Sequence, residues 1–224
     1  MQSTFRADGR DNRIDMHEPK TSSAHPAIIL MHGSGGNIGF WLDRLAPSLN
    51  SMGVALYAPH YFDRTNTVRA DLAAITDGVH VPQWLSTLDA ALAFASTRPN
   101  VDPNRVAIIG ISLGAFLSLA LAAELSASPD PATRHRIRTL VDLSGGLVEP
   151  YAARATSAFP PTLILHGEAD NVVPVDQARA LDKRLTSLNV KHETRLLPNE
   201  GHWFSSAAQM QLLLAVAGFL TKHL

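Results

Sequence analysis

A strand, a sharp turn and a helix centred on Ser112 constrain the fold more than any other stretch of the chain. Residues 106–109 form an apolar run typical of a buried parallel strand, and residues 113–127 form an alanine- and leucine-rich run that predicts a helix. Side chains two positions to either side of Ser112 would collide in such a turn, and both positions, Gly110 and Gly114, are glycine. The pattern predicts a serine hydroxyl exposed at the edge of a sheet.

Strand-like and helix-like segments alternate along most of the chain. Strands are predicted at residues 27–31, 54–58, 106–109, 137–143, 162–165 and 192–197, and helices at residues 40–52, 82–97, 113–127, 177–188 and 206–224. Because parallel strands need crossover connections, this alternation predicts an α/β fold with a mostly parallel central sheet and helices on both faces. The remaining segments, 60–80 and 98–104, are expected to be a long connection and a turn. Segment 144–161 is too short for a cap domain.

Length and composition indicate one globular unit. A chain of 224 residues with 46% hydrophobic composition is long enough for one substantial core. We therefore expect a single domain over residues 26–224. Residues 1–25 are expected to form either an N-terminal arm or edge strands, because their alternation is too weak to decide.

Several classes of partner are disfavoured by the composition. The absence of cysteine excludes disulfides, thiolate metal sites and a cysteine nucleophile. The formal net charge of -1 and the lack of a basic cluster disfavour nucleic acid. No apolar run is long enough for a membrane span, and residues 1–20 lack the apolar centre of a signal peptide. A cytoplasmic protein is expected.

Two loops carry candidate partners for Ser112. The carboxyl ends of parallel strands meet at one edge of a sheet, so residues that follow different strands come together there. Asp170 follows the strand predicted at 162–165, and His202 follows the strand predicted at 192–197. A serine needs a base to remove its proton, and a carboxylate orients a histidine for that task. We predict Ser112 as nucleophile, His202 as base and Asp170 as the orienting acid.

The glycine-rich loop that follows residues 27–31 is the candidate for binding an oxyanion. The backbone N–H of Leu113, directly after the nucleophile, is one expected donor. Ser34 N–H is the expected second donor, with Gly35 N–H as the alternative, and His32 is expected to be structural. The loop lacks the spacing of a dinucleotide or phosphate cradle, and the histidines are too scattered for a metal hydrolase. No cofactor and no metal are expected.

Four segments together resemble a known family. They read HGSGG at 32–36, GISLG at 110–114, LHGEADNVVP at 165–174 and GHWF at 201–204. The chain resembles the α/β-hydrolase superfamily from about residue 27 onward, and within it the dienelactone hydrolase family of small esterases. It departs from that family at two positions, since Ser112 stands where the family has cysteine, and Ser206 where it has an arginine that holds a substrate carboxylate. The resemblance implies a serine esterase of wider scope.

The substrate is expected to be a small-molecule ester, with a lactone or a thioester left open. Its binding site is expected to include Gly35, Tyr61, Phe62 and Trp203, which lie in loops predicted after strands. A peptidase or acyltransferase of the same fold, and a non-catalytic binding protein, remain alternatives. The sequence also leaves a homodimer open.

Overall fold

A single eight-stranded sheet forms the centre of the protein. The computed structural model describes residues 1–134 and 136–224. The strands are β1 (Gln2–Ala7), β2 (Arg10–His17), β3 (His25–Met31), β4 (Ala55–Pro59), β5 (Val101–Ile111), β6 (Thr139–Leu143), β7 (Thr162–Gly167) and β8 (His192–Leu197). Their spatial order is β1-β2-β4-β3-β5-β6-β7-β8, and β3 to β8 are mutually parallel. At one edge, β2 runs antiparallel to both of its neighbours, β4 and the edge strand β1. The predicted, mostly parallel α/β sheet is confirmed.

Helices cover both faces of this sheet. They are α1 (Ile38–Ser51), α2 (Leu72–Thr76), α3 (His80–Ser96), α4 (Leu113–Ser126), α5 (Pro131–Arg134), α6 (Asp176–Ser187) and α7 (Ser206–His223). Buried side chains of α3, α4 and α6 form one apolar cluster with the sheet, and those of α1 and α7 form a second cluster. Because both faces are covered, the central strands are mostly apolar, as in β3, where all seven residues are buried and residues 27–31 form an apolar run.

The first residues of the chain extend the sheet. Strands β1 and β2 form an antiparallel hairpin, and β2 pairs with β4. The tight turn between them has positive φ angles at Asp8 and Gly9. Phe5 and Ile14 point into the apolar cluster that includes α3. Of the two forms expected for this segment, the structure has the edge strands.

The connection after β4 is more ordered than the sequence indicates. It contains a 3₁₀ turn at Tyr61–Thr65 and the short helix α2, and α3 begins at His80, two residues before the predicted start. The side chain of Asp77 explains this start, because its Oδ1 accepts the N–H groups of Val79 and His80 at 2.7 and 3.0 Å. The prediction of a turn over residues 98–104 is wrong in part, since β5 begins at Val101, which pairs with His25 of β3.

Within residues 1–134 and 136–224, no cap domain covers the carboxyl ends of the strands, as expected. The connection from β6 to β7 holds one 3₁₀ turn at Ala152–Arg154 and no longer helix. The loops that follow β3, β5, β7 and β8 therefore meet at an uncovered edge of the sheet.

Candidate active site

Ser112 occupies a strained position between β5 and α4. Its backbone angles are φ 52° and ψ -119°, in a region that residues other than glycine rarely adopt. Hydrogen bonds on both sides hold this conformation: Ser112 N–H donates to Leu143 O at 2.8 Å, and Ser112 O accepts the N–H groups of Ala115 and Phe116 at 2.8 and 3.1 Å. A strained residue that the surrounding structure fixes so firmly is typical of a functional site.

The glycines at positions 110 and 114 are required by close packing. A Cβ atom at Gly110 would lie 2.5 Å from the Cα of Ala115 in the first turn of α4. A Cβ atom at Gly114 would lie 2.3 Å from Met31 O at the end of β3. No unstrained contact is that short, so the turn cannot accommodate a side chain at either position. The structure thus identifies α4 and β3 as the neighbours that exclude larger residues.

Ser112, His202 and Asp170 form one hydrogen-bonded series. His202 Nε2 lies 3.1 Å from Ser112 Oγ, and His202 Nδ1 lies 2.8 Å from Asp170 Oδ2. The three residues follow β5, β8 and β7 respectively, so the sheet edge brings together the three side chains singled out from the sequence. A hydroxyl, an imidazole and a carboxylate in this order can move a proton from the hydroxyl to the imidazole.

Asp170 is buried and strongly hydrogen-bonded. Its Oδ1 accepts the N–H groups of Val172 and Val173, each at 2.8 Å, while Oδ2 faces His202. Burial opposes ionisation, but the hydrogen bonds from His202, Val173 and Val172 outweigh it and lower the pKa of Asp170. An ionised carboxylate in this position holds His202 with Nδ1 protonated and Nε2 directed at Ser112.

The glycine loop after β3 packs directly against Ser112. A Cβ atom at Gly33 would lie 3.3 Å from Ser112 Cβ. Gly33 O accepts His32 Nδ1–H at 2.8 Å and Gly36 N–H at 3.1 Å. Because the peptide bond between Gly33 and Ser34 is trans, Ser34 N–H points in the direction opposite to Gly33 O. Leu113 N–H, in the first turn of α4, has no acceptor within its helix. The loop and the helix start thus bring the two predicted donors to the same side of the sheet as Ser112.

His32 is a buried, neutral part of this loop. Burial lowers its pKa to about 4. Its ring stacks on Tyr61 with centroids 4.2 Å apart and meets Phe62 edge to face at 4.8 Å. Tyr61 OH in turn donates to His32 O at 2.8 Å. These contacts support the glycine loop from the inside of the protein.

Two of the four residues expected to contact substrate lie in the core. Tyr61 is 0% exposed and Phe62 is 5% exposed, so the expectation that their side chains line the substrate site is wrong. The 3₁₀ turn that contains them directs both rings under His32 and against Trp84. Gly35 and Trp203 do lie at the surface, and Trp203, which is 78% exposed, meets His202 edge to face at 5.4 Å.

Three buried polar residues next to this series were not singled out from the sequence as functional. His166 Nε2 lies 2.9 Å from Val173 O and 3.4 Å from Asp170 Oδ2. Asp142 and Ser144, at the end of the neighbouring strand β6, are 0% and 2% exposed. The sequence feature that could have identified Asp142 is its place inside the apolar run Leu-Val-Asp-Leu, since buried strands rarely contain an unpaired carboxyl group.

Among residues 1–134 and 136–224, no cluster of three or more histidine and acidic side chains could hold a metal ion. Across the same described residues, no helix is both long and apolar enough to cross a membrane.

The sheet order, the strained serine between a strand and a helix, and the three loops that meet beside it define an α/β-hydrolase fold. The sequence matches the dienelactone hydrolase family over residues 15–212. The chain therefore belongs to the dienelactone hydrolase family.

Individual relatives are more distant. The quorum-quenching protein AidA of Acinetobacter baumannii is 31% identical over 110 residues, which cover 48% of this chain and 34% of that protein. The chain spans between a third and about half of the length of the curated relatives it matches.

Solved structures match over the whole chain. The dienelactone hydrolase-like promiscuous phosphotriesterase P91 from metagenomic libraries has a TM-score of 0.80 at 18% identity, covering 100% of this chain and 98% of that one. The carboxylesterase Cest-2923 of Lactobacillus plantarum has a TM-score of 0.78 at 14% identity, covering 99% and 97%. At such low identities these matches concern the fold.

Proposed function

We propose that this protein is a serine hydrolase that cleaves carboxylic esters through an acyl-enzyme. The observation that carries the proposal is the hydrogen-bonded series from Ser112 Oγ through His202 to Asp170, with contacts of 3.1 and 2.8 Å. Family membership and the name of the structural relative Cest-2923, a carboxylesterase, support ester hydrolysis, and the structural relative P91 is named for the hydrolysis of another class of ester, the phosphotriesters.

The reaction proceeds in two halves. His202 Nε2 takes the proton of Ser112 Oγ as the oxygen attacks the ester carbonyl, and then gives that proton to the departing alkoxide, which leaves as an alcohol. Water then attacks the acyl-enzyme as His202 Nε2 takes one of its protons, and His202 gives that proton to Ser112 Oγ as the carboxylic acid is released. Asp170 stays ionised throughout and stabilises the His202 imidazolium.

The negative charge of each tetrahedral intermediate needs fixed donors. Leu113 N–H is well suited, because the start of α4 combines a free N–H group with the positive end of the helix dipole. Ser34 N–H is the second donor, with its direction set by the two hydrogen bonds on Gly33 O. The close approach of Gly33 to Ser112 is what brings this donor to the reacting carbon.

The substrate is a small ester with an apolar acyl group. Exposed apolar side chains on the loops and short helix that follow β4, β6, β7 and β8 form what we call the apolar rim: Val68, Leu72, Val148, Val172 and Trp203. The family's substrate-binding arginine is replaced by Ser206, the exposed first residue of α7. Because residue 206 carries no positive charge and the rim is apolar, the site favours uncharged esters over lactones that carry a carboxylate group.

The test is hydrolysis of p-nitrophenyl acetate and butyrate by the wild type and by Ser112→Ala. We expect the variant to lose at least about a thousandfold in kcat, since no other group forms the acyl-enzyme. Urea unfolding of both proteins shows whether the fold is intact. A fluorophosphonate probe should label the wild type and not the variant. Undiminished turnover in a folded Ser112→Ala protein would contradict the proposal, and turnover of peptides in preference to esters would favour the peptidase alternative.

A further inference from the structure

Asp142 is a buried carboxyl group directly behind the turn that contains Ser112. It lies on β6, paired with Gly110 of β5 on one side and Ile164 of β7 on the other. Its Oδ1 accepts Gly145 N–H at 2.9 Å. A Cβ atom at Gly145 would lie 2.5 Å from this Oδ1 and 2.4 Å from the Cβ of Ala115 in α4, so the carboxyl group and the first turn of α4 both press on the same loop.

Among the described residues, Gly145 N–H is the one group that donates a hydrogen bond to the Asp142 carboxyl group. Its Oδ2 is buried and has no hydrogen-bond partner among them. Leaving a buried carboxylate with a single hydrogen bond is unfavourable, because ionised groups need several donors or a cation when they are removed from water. A protonated carboxyl has no such need, and its O–H becomes a donor.

Two further buried polar atoms close to Asp142 have no partner among the described residues. They are Ser144 Oγ and His166 Nδ1. Residue 142 pairs with residue 164 in register, and side chains two residues apart point to the same face, so Asp142 and His166 share one face of adjacent strands. Ser144 N–H donates to Leu165 O at 2.9 Å, which places the serine beside His166.

Donor and acceptor roles in this group are complementary. His166 Nε2 lies 2.9 Å from Val173 O, and because a carbonyl only accepts, Nε2 carries the hydrogen. In the neutral imidazole, Nδ1 then accepts a hydrogen bond. A protonated Asp142 and the Ser144 hydroxyl are the neighbouring groups able to donate one. Because none of these atoms has a hydrogen-bond partner among the described residues, an internal water held by all three groups would complete the link.

We propose that Asp142 is retained as a neutral carboxylic acid which, with Ser144 and His166, forms a buried hydrogen-bonded network that positions Asp170. The network ends beside Asp170, since His166 Nε2, which donates to Val173 O, also lies 3.4 Å from Asp170 Oδ2, and Val173 N–H donates to Asp170 Oδ1. Asp142 and His166 are thus positioning residues that act through Asp170 and do not contact the substrate. This role depends on the proposed function, whereas the neutral state of Asp142 does not.

The surroundings of Asp142 explain why it keeps its proton. Its neighbours on β5 and α4 are Gly110 and Ala115, which do not titrate, and His166 is the titratable side chain that β7 presents on the same face. Beyond His166 lies the ionised Asp170, whose negative charge disfavours a second carboxylate. Burial raises the pKa of Asp142 to about 7, and the Gly145 N–H lowers it by less.

The first test is the pH dependence of folding in Asp142→Asn, which keeps the shape, an acceptor for Gly145 N–H and a donor. Between about pH 5 and pH 7 the unfolded wild type releases the Asp142 proton that the folded wild type holds, so wild-type stability falls as pH rises. The variant has no such proton. We expect the ratio of its folding constant to that of the wild type to rise about tenfold per pH unit over this interval. A ratio that does not change with pH would overturn the neutral state of Asp142.

The second test is the pH profile of kcat/KM with p-nitrophenyl acetate. Asp142→Asn should stay within about threefold of the wild type with the same profile, because it retains a donor. Asp142→Leu has similar size but can neither donate nor accept, so we expect about tenfold lower kcat/KM and an acid-side midpoint displaced to lower pH as Asp170 loses its support. Equal rates and profiles in the two variants would overturn the positioning role.

Two more variants keep this test decisive. Should Asp142→Leu fail to fold, Ser144→Ala removes the hydroxyl of the same network and should displace the profile in the same direction; an unchanged profile would overturn the role. Thr139→Val, at the other end of β6, removes a buried hydroxyl that donates to Pro161 O and should lower stability without displacing the profile. The folding measurement needs no substrate, so its outcome is independent of whether Ser112→Ala loses activity.

Discussion

The turn at residues 110–114 and the apolar rim lie at the same edge of the sheet but differ in how tightly their atoms are held. In the turn, a single added carbon would lie 2.3 to 2.7 Å from neighbouring backbone atoms. In the rim, residues are 41% to 87% exposed, so their side chains have room to adopt other conformations or to be replaced by side chains of another size. Under the proposed function, the turn fixes the position of the attacking Ser112 oxygen, whereas the rim offers a surface on which an acyl group would lie.

This difference separates the chemistry of the site from its choice of substrate. A change in the turn or in its hydrogen-bonded partners must disturb the reaction itself, because the close packing leaves no alternative conformation. A change in the rim should alter which substrates are bound and leave the reaction steps intact. The next four predictions test this separation, in order of decreasing effect.

Asp170→Asn should produce the largest effect. The asparagine can still accept the N–H groups of Val172 and Val173, so the loop should stay folded, but it no longer stabilises the His202 imidazolium and favours the wrong imidazole tautomer. We expect kcat for p-nitrophenyl acetate to fall by about 10³ to 10⁴. The control is Asp176→Asn, at the exposed start of α6, which should change kcat by less than about twofold. A folded Asp170→Asn protein with wild-type kcat would remove Asp170 from the mechanism.

Gly114→Ala should destabilise the protein by about 3 kcal/mol or more, because the new Cβ would overlap Met31 O and force β3 and α4 apart. Urea unfolding measures the loss, and esterase activity should fall with it as Ser112 moves. Gly218→Ala is the matched control: it lies in α7 with nothing within 4 Å of the added carbon, so the change should stabilise by about 0.5 to 1 kcal/mol. Equal stabilities of the two variants would contradict the close packing described for the turn.

The sequence predicts the turn well because its constraints are local. Gly110, Ser112 and Gly114 express a steric requirement over five residues, and the order of Asp170 and His202 after it follows from the parallel sheet. The neighbours that make Gly114 necessary, at the end of β3, are more than eighty residues away in sequence and appear only in the structure.

The loops are predicted less well because burial there is decided by tertiary contacts. Tyr61 and Trp203 are both aromatic residues in loops after strands, yet one is 0% and the other 78% exposed. The 3₁₀ turn at Tyr61–Thr65 directs the Tyr61 ring under His32, and no local pattern in the sequence announces that turn. That Asp142 Oδ2 has no hydrogen-bond partner among the described residues is likewise invisible in the sequence, since hydrogen bonds across strands depend on register.

Trp203→Ala should have a smaller and selective effect. If the Trp203 ring covers part of an apolar acyl chain, its removal should lower kcat/KM for p-nitrophenyl hexanoate by about tenfold and for the acetate by less than about twofold, mainly through KM. Unfolding stability should change little because the side chain is mostly exposed. Met210→Ala on α7, also exposed, is the control and should leave the hexanoate-to-acetate ratio unchanged. An equal loss for both esters would place Trp203 with the reaction chemistry instead of the rim.

Tyr61→Phe should have the smallest effect and decides to which region this aromatic residue belongs. The change removes the hydrogen bond from Tyr61 OH to His32 O and keeps the ring stacked on His32, so unfolding stability should fall by about 1 kcal/mol. Because the ring is buried beneath the glycine loop, kcat/KM should fall by no more than about threefold, and equally for acetate and hexanoate. A change in the hexanoate-to-acetate ratio would show that substrate reaches Tyr61 after all, and the boundary between the packed interior and the apolar rim would then lie deeper than the structure places it.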